Sequence, residues 1–543
     1  MTTILIEHGT IVDGTGQSAF AGSVLIDDDR IAGIFPAGAA LPAADSQIDA
    51  QGLIVCPGFI DMHSHADWVL PLANHAPILK CLVEQGITTV VAGNCGISPA
   101  PMTPDARARI EVLASIVTAG AIDYPWRSMA EYLTHVESQN PLINMAQLLG
   151  HATVRYANSR RDRGDMSPGD LERCLASTRR ALEEGACGLS FGLGYDPGMY
   201  ASLEELEAFS RVAAEADKPV TIHMKALSRL SPCYPLTTLA AHNIKALQEA
   251  LLLAEKTGAA IQLSHFIFVG RKSWPSVDEA LDLVDAARAR GVDVMIDAFP
   301  YTCGNTTILA PVPYWFLAKI PDAYSNALLK ARLRLELAVG FRLLGFSYPD
   351  FQVMDSGIPG LEDLNGLRIT EIAEKWDCSP FTAMLTLAEK SRGATLMLYH
   401  TYSGEPGFEE PLEKVLSRDY CLFETDAAIK ANGLPNPAAT GTFPRILGRF
   451  VRDQKLFSVE DAVRRMTHAS AERFGLKDVG CLAPGKAADL VLFDPQQIAD
   501  NPGGDRQAAG RPEGIKRVLL NGQTVVNDGI YVEGVRAGRV LKV

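Results

Sequence analysis

Between about residues 58 and 430 the chain alternates short apolar runs with amphipathic stretches, and few folds can use that pattern. The apolar runs read "GFIDMHSH", "GITTVVAGN", "INMAQLLGH", "CGLSFGLG", "PVTIHMK", "AIQLSHF", "DVMIDAFPY", "TLMLYHTY" and "CLFETDA". The stretches between them, such as "SLEELEAFSRVAAEAD", "NIKALQEALLLAEKTG" and "SVDEALDLVDAARARG", carry apolar residues at helical spacing. Apolar strands separated by amphipathic helices predict a parallel sheet buried on both faces. Eight or nine such strands suit a (β/α)8 TIM-like barrel. The stretch from Asn305 to Gly393 is too long for one crossover, so an inserted helical subdomain is expected around 305–393.

The two ends have a different texture. "TILIEHGTIVDG" and "GSVLIDDDRIAGIFP" at the start, and "ADLVLFDP" and "IKRVLLNGQTVVNDGIYV" at the end, read as short strands with tight turns. Matching β-rich ends predict one small β-sandwich domain built from residues 1–57 and 480–543. The barrel then spans 58–479, and the fold class is α/β.

Charge and cysteine usage narrow the function classes. A formal net charge of −14 argues against nucleic acid and anionic membrane as partners. The 10 cysteines are scattered with no Cys-x-x-Cys pair, which suits reduced thiols in a cytoplasmic protein. The first residues lack the basic and apolar regions of a signal peptide, and no uncharged run approaches the length of a membrane span. A small-molecule substrate is the expected partner. The oligomeric state stays open, a homo-oligomer included.

In a parallel barrel the reactive side chains stand at the C-terminal ends of the strands. Here those ends carry His63 and His65, Cys95, His151, His223, His265 and Asp426. Alternate residues of a strand point the same way, so His63 and His65 can face one centre. One strand-end histidine is more often structural, but the whole ordered set predicts a metal centre. A thiolate with imidazoles favours Zn2+ over magnesium or calcium. His8, His75, His135, His242, His400 and His468 are left as structural or surface residues.

With these residues placed, the sequence resembles the amidohydrolase superfamily, and within it the D-aminoacylase (N-acyl-D-amino-acid deacylase) branch. The motifs "PGFIDMHSHAD", "GNCGIS", "IHMK", "LSHF", "DAFPYTCGNTT", "GTFPRILGRF" and "CLAPGKAADLVLFDP" follow in that branch's order over nearly the full chain. The resemblance implies a zinc-dependent amidohydrolase that cleaves a C–N amide bond with metal-activated water. It implies that Cys95, His223 and His265 hold one firmly bound zinc, with Cys95 in the place of a carbamylated lysine. His63, His65 and Asp426 then form a second, weaker site, and Asp426 is the general base and acid. His151 is expected to position substrate or to steady the oxyanion, with a supporting hydrogen bond as the equal alternative.

The resemblance breaks at substrate recognition. The branch holds a substrate carboxylate with a lysine, a tyrosine and an arginine. In this sequence those positions fall on Ile267, Phe299 and Ala438. Lys225, Arg271, Lys272 and Lys430 are the cations that could replace them. Two readings follow: an N-acyl-D-amino-acid deacylase with a rebuilt clamp, or a hydrolase of an uncharged or hydrophobic amide, lactam, carbamate or lactone. Apolar Phe266, Ile267, Trp274, Phe299 and Trp315 lean toward the second, unless they are simply core. A non-catalytic scaffold is the third and least favoured reading, because such relatives lose metal ligands and this chain retains six candidates.

Overall fold

In the computed structural model, eight of the nine anticipated strands form one parallel sheet. Residues 2–159, 163–235, 237–430, 433–501, 503 and 510–543 are described. We number the barrel strands β1 (Phe59–Ser64), β2 (Ile87–Ala92), β3 (Asn144–Gly150), β4 (Gly188–Gly192), β5 (Val220–His223), β6 (Ile261–Leu263), β7 (Val294–Ala298) and β8 (Cys421–Phe423). They neighbour one another in that order. Nearly every residue in them is buried, as expected of strands covered on both faces.

The curl of the sheet brings β8 back beside β1, where side chains and one backbone bond make the closure. The Asp61 carboxylate accepts from Thr425 N at 3.0 Å and from Thr425 Oγ1 at 2.7 Å, and Asp426 N donates to His63 O at 3.1 Å. This clasp sits at the rim where the candidate ligands gather. It fixes the ends of the first and last strands relative to each other.

The ninth candidate, "TLMLYHTY", is not a barrel strand. Leu396–His400 pairs antiparallel with Cys303–Thr307 and Phe351–Asp355 in a separate three-stranded sheet. The insertion is therefore mixed rather than helical. Helices Ala327–Leu344, Ile369–Lys375 and Pro380–Lys390 accompany that sheet. A short apolar run bounded by loops looks the same in either sheet, and only its partners tell them apart.

Strands from both ends of the chain join in one nine-stranded sheet. The two ends meet where Ile54–Pro57 pairs antiparallel with Leu490–Phe493. This β-rich unit has an apolar core of its own that includes Ile6, Val24, Val55, Leu490 and Leu519. The "LNGQ" turn behaves as its residues require: Asn521 and Gly522 take φ of 47° and 78°, the left-handed pair that a two-residue hairpin loop needs. Among the described residues, no helix is long and apolar enough to cross a membrane.

Candidate metal centre

Five strand ends deliver the six predicted ligands to one place. Cys95 Sγ lies 3.7 Å from His223 Nδ1, 3.6 Å from His265 Nε2 and 3.4 Å from His63 Nε2. Asp426 Oδ1 lies 3.4 Å from His65 Nε2 and 3.5 Å from His63 Nε2. Two overlapping groups of these six result, Cys95–His223–His265 and His63–His65–Cys95–Asp426, with Cys95 common to both, and a third, His63–Asp297–Glu424, adjoins them through His63.

The spacing can be tested against zinc geometry. With Zn–S near ~2.3 Å, Zn–N near ~2.05 Å and a tetrahedral angle, sulfur and nitrogen ligands stand about 3.6 Å apart. The separations from Cys95 to His223 and His265 match that value. Three protein ligands leave a fourth tetrahedral position open, as a catalytic zinc requires. The donor set and its spacing thus fit the metal.

The backbone holds these residues in conformations that cost energy. Cys95, His265 and Asp426 have φ of 57°, 33° and 42°, in the left-handed region that side chains disfavour. Each such residue costs roughly 1–3 kcal/mol and persists only where surrounding structure imposes it. The neighbours do so here. Asn94 is held by bonds to Val91 O (3.0 Å) and from Thr221 Oγ1 (3.2 Å), and Tyr195 hydrogen-bonds the Cys95 carbonyl. Gly96 packs so closely that a Cβ would stand 2.4 Å from Gly192 N, which accounts for glycine after the cysteine in "GNCG".

Electrostatics favour the ligand forms of Cys95 and Asp426; at His63, His65 and His265 burial lowers the imidazole values, but the Cys95 thiolate and the neighbouring carboxylates more than reverse this and push them up. Burial pushes the Cys95 thiol up, but the His63 charge and the contacts to His223, His265 and His63 more than reverse this, leaving it well below its ordinary value. Burial also raises the Asp426 carboxyl. The hydrogen bond from His65 and the charges of His63 and His265 outweigh that, so it stays ionised at neutral pH. The Asp426 side chain is 22% exposed, against 0% for His63 and 6% for His65. Of these three it is the one that faces an opening.

Two buried carboxylates at this centre were missed in the sequence. Asp297 on β7 accepts from His265 N (2.6 Å) and Gln262 Nε2 (2.8 Å), which fixes the His265 backbone. Glu424 lies 3.3 Å from His63 Nδ1. The signal for Glu424 was present in "CLFETD": the alternation that pairs His63 with His65 also pairs Glu424 with Asp426.

His151 does not join the cluster. It heads the helix His151–Asn158 and turns toward helix Leu203–Glu215, where its Nε2 lies 2.8 Å from Glu205 Oε1. Phe191 and Phe209 pack edge-on against its ring. The ring is fully buried and its Nε2 is engaged by Glu205, the arrangement that the supporting-hydrogen-bond alternative describes. Arg155 binds the same Glu205 carboxylate at 2.8 and 2.9 Å. Replacing Glu205 by alanine would strand the buried Arg155 guanidinium and a buried His151 ring nitrogen, and about 3–5 kcal/mol of stability should be lost. Denaturant unfolding should show the loss, with zinc content per folded molecule unchanged.

The positions expected to carry the carboxylate clamp share one apolar environment. Ile267, Phe299 and Ala438 are buried members of a single cluster formed with the insertion, beside Tyr301, Phe316 and Tyr399. Trp315 packs on the edge of that cluster, whereas Phe266 and Trp274 belong to the main barrel core. The replacement cations are mostly engaged. Arg271 pairs with Asp350 (2.9 Å) and Glu405 (2.6 Å), Lys430 donates to Ser115 O and Thr118 O, and Lys225 lies 3.9 Å from Glu249. Lys272 is exposed. His400 lies in the three-stranded sheet, 3.0 Å from Gln352, outside the metal groups.

The Amidohydrolase family pattern matches residues 47–309 and 422–526. The chain belongs to the amidohydrolase family. It is 33% identical to N-acyl-D-glutamate deacylase of Alcaligenes xylosoxydans xylosoxydans, covering 99% of this chain and 96% of the relative. It is 29% identical to D-aminoacylase of the same organism, covering 99% and 97%. Among solved structures, N-acyl-D-glutamate deacylase from Bordetella bronchiseptica, complexed with zinc and a phosphonate mimic of the tetrahedral intermediate, superposes with a TM-score of 0.79. The identity there is 30%, and both chains are fully covered. This amidohydrolase is a hydrolase of the family to which those deacylases belong, and it brings together groups that could hold a metal ion.

Proposed function

We propose that this amidohydrolase cleaves the C–N bond of an N-acyl amide by deacylase chemistry, with Cys95, His223 and His265 holding zinc and Asp426 moving the proton. The observation that carries this reading is Cys95 Sγ standing 3.7 and 3.6 Å from two imidazole nitrogens, with Asp426 at the partly open side of the same cluster. His63 and His65 would complete a second site with Asp426, sharing the Cys95 thiolate. Zinc, when bound, supplies a Lewis acid for the carbonyl oxygen and lowers the pKa of water. Asp426 Oδ1 takes the proton of the attacking water and returns it to the leaving nitrogen. His65, 3.4 Å away, orients that oxygen. Water itself is the second reactant, so the site needs an opening, and Asp426 lies on it.

A second reading concerns the substrate, and a specific observation favours it. A substrate carboxylate buried without partners would cost several kcal/mol as an order of magnitude. At the three clamp positions this chain offers Ile267, Phe299 and Ala438, all within one apolar cluster. Arg271 is already paired with two carboxylates. We therefore infer an uncharged or hydrophobic acyl-amide, lactam or carbamate in preference to an N-acyl-D-amino acid. Hydrolysis of N-acyl-D-amino acids should be compared with that of neutral aryl amides and lactams, each with and without added zinc. Neutral substrates should be preferred by at least about tenfold in kcat/KM, the worth of one well-placed polar contact. Efficient turnover of N-acyl-D-glutamate would reverse the preference and leave the zinc chemistry standing.

A further inference from the structure

We propose that Glu424 is a positioning residue of the metal centre, one that holds the Nδ1–H of His63 and so turns the His63 Nε2 lone pair toward the metal position. This rests on the reading of His63 as a metal ligand. The two nitrogens of the His63 ring are bracketed by carboxylates two residues apart on the chain leaving β8. Glu424 Oε2 lies 3.3 Å from Nδ1, and Asp426 Oδ1 lies 3.5 Å from Nε2. Thr425 between them points the other way, to Asp61. The clasp that closes the barrel therefore also sets the direction in which Glu424 points.

Glu424 is fully buried, and among the described residues its ion pair is with His63. Among the described residues, both of its oxygens and His63 Nδ1 have no other hydrogen-bond partner. Asp297 also approaches His63 Nδ1, at 3.7 Å, but its carboxylate is committed to His265 N and Gln262. Glu424 is the free acceptor. The contact stands at ion-pair separation, 3.3 Å, on the Nδ1 side of the ring, so it fixes which way the ring faces and where its N–H is held.

The chemistry explains why a ligand histidine needs such a neighbour. Neutral imidazole carries one N–H, and the partner of one nitrogen decides which nitrogen keeps its lone pair. Buried without an acceptor at Nδ1, His63 would favour the tautomer with hydrogen on Nε2, which cannot bind a cation. A carboxylate behind a ligating histidine fixes both tautomer and orientation. Burying a carboxyl group in an apolar strand end costs stability, so the fold by itself has little use for Glu424 there.

The test is a zinc titration of the purified full chain, stripped of metal, in competition with a chromophoric chelator, alongside thermal melting of the metal-free protein. Glu424→Leu should weaken zinc binding at the His63 site by about 10–100-fold, while the metal-free protein melts at the parent temperature or above. Glu424→Gln, whose amide oxygen still accepts the Nδ1–H, should recover most of that affinity. Parent-like zinc binding by Glu424→Leu would overturn the assignment. So would equal losses in the leucine and glutamine variants, or a loss accompanied by a lower melting temperature. A parent chain that binds no zinc at all would instead remove the metal centre on which the assignment rests.

Discussion

Asp426→Asn should lose about 10²–10⁴-fold in kcat, the range for removing a positioned general base, and should keep most of its zinc. Asparagine has the same shape and can still offer an oxygen beside His63 and His65. It cannot accept a proton at neutral pH. The parent carboxyl is held ionised because the hydrogen bond from His65 and the His63 and His265 charges outweigh its burial. The proton acceptor is thus ready without any rearrangement, and its replacement should show in kcat rather than in KM. The backbone should not suffer, because asparagine tolerates the left-handed φ of 42° found here as well as aspartate does. Zinc analysis and steady-state kinetics on the same preparation decide the matter. Turnover surviving in a zinc-loaded variant would mean that another group moves the proton.

The barrel and the candidate ligands were legible in the sequence for one physical reason. Strands buried on both faces must be apolar throughout, so a histidine, cysteine or aspartate at the end of such a run stands out. That logic finds His63, Cys95, His223, His265 and Asp426. It fails for His151, because a residue just past a strand can start the next helix and turn away from the mouth, as His151 does toward Glu205. It fails also for "TLMLYHTY", whose apolar run is equally at home in the insertion's own sheet. Glu424 and Asp297 were passed over because an acidic residue inside an apolar run reads as noise until its partner is known. The left-handed backbone at Cys95, His265 and Asp426 had no sequence signal, since none of the three is a glycine. Such strain is visible only once the surrounding contacts are.

Cys95→Ala should release zinc. Cys95 is common to both ligand groups, so its loss removes one of three ligands from one group and the bridging thiolate from the other. If about 10–16 kcal/mol of apparent zinc affinity is shared among four ligands, one ligand is worth roughly 2.5–4 kcal/mol, or about 10²–10³-fold in affinity. Activity should fall with metal content and return in part at high zinc concentration. Stability gives a useful contrast. Alanine keeps the strained φ of 57°, so the metal-free variant gains no backbone relief. Glycine at the same position accepts that φ without cost. Cys95→Gly should therefore be the more stable of the two metal-free variants while binding zinc no better. The order of their melting temperatures separates what the cysteine side chain does from what its backbone endures. Stoichiometric zinc on Cys95→Ala after dialysis would take the thiolate out of the metal shell, and the remaining imidazoles and carboxylate would then have to hold the ion without it.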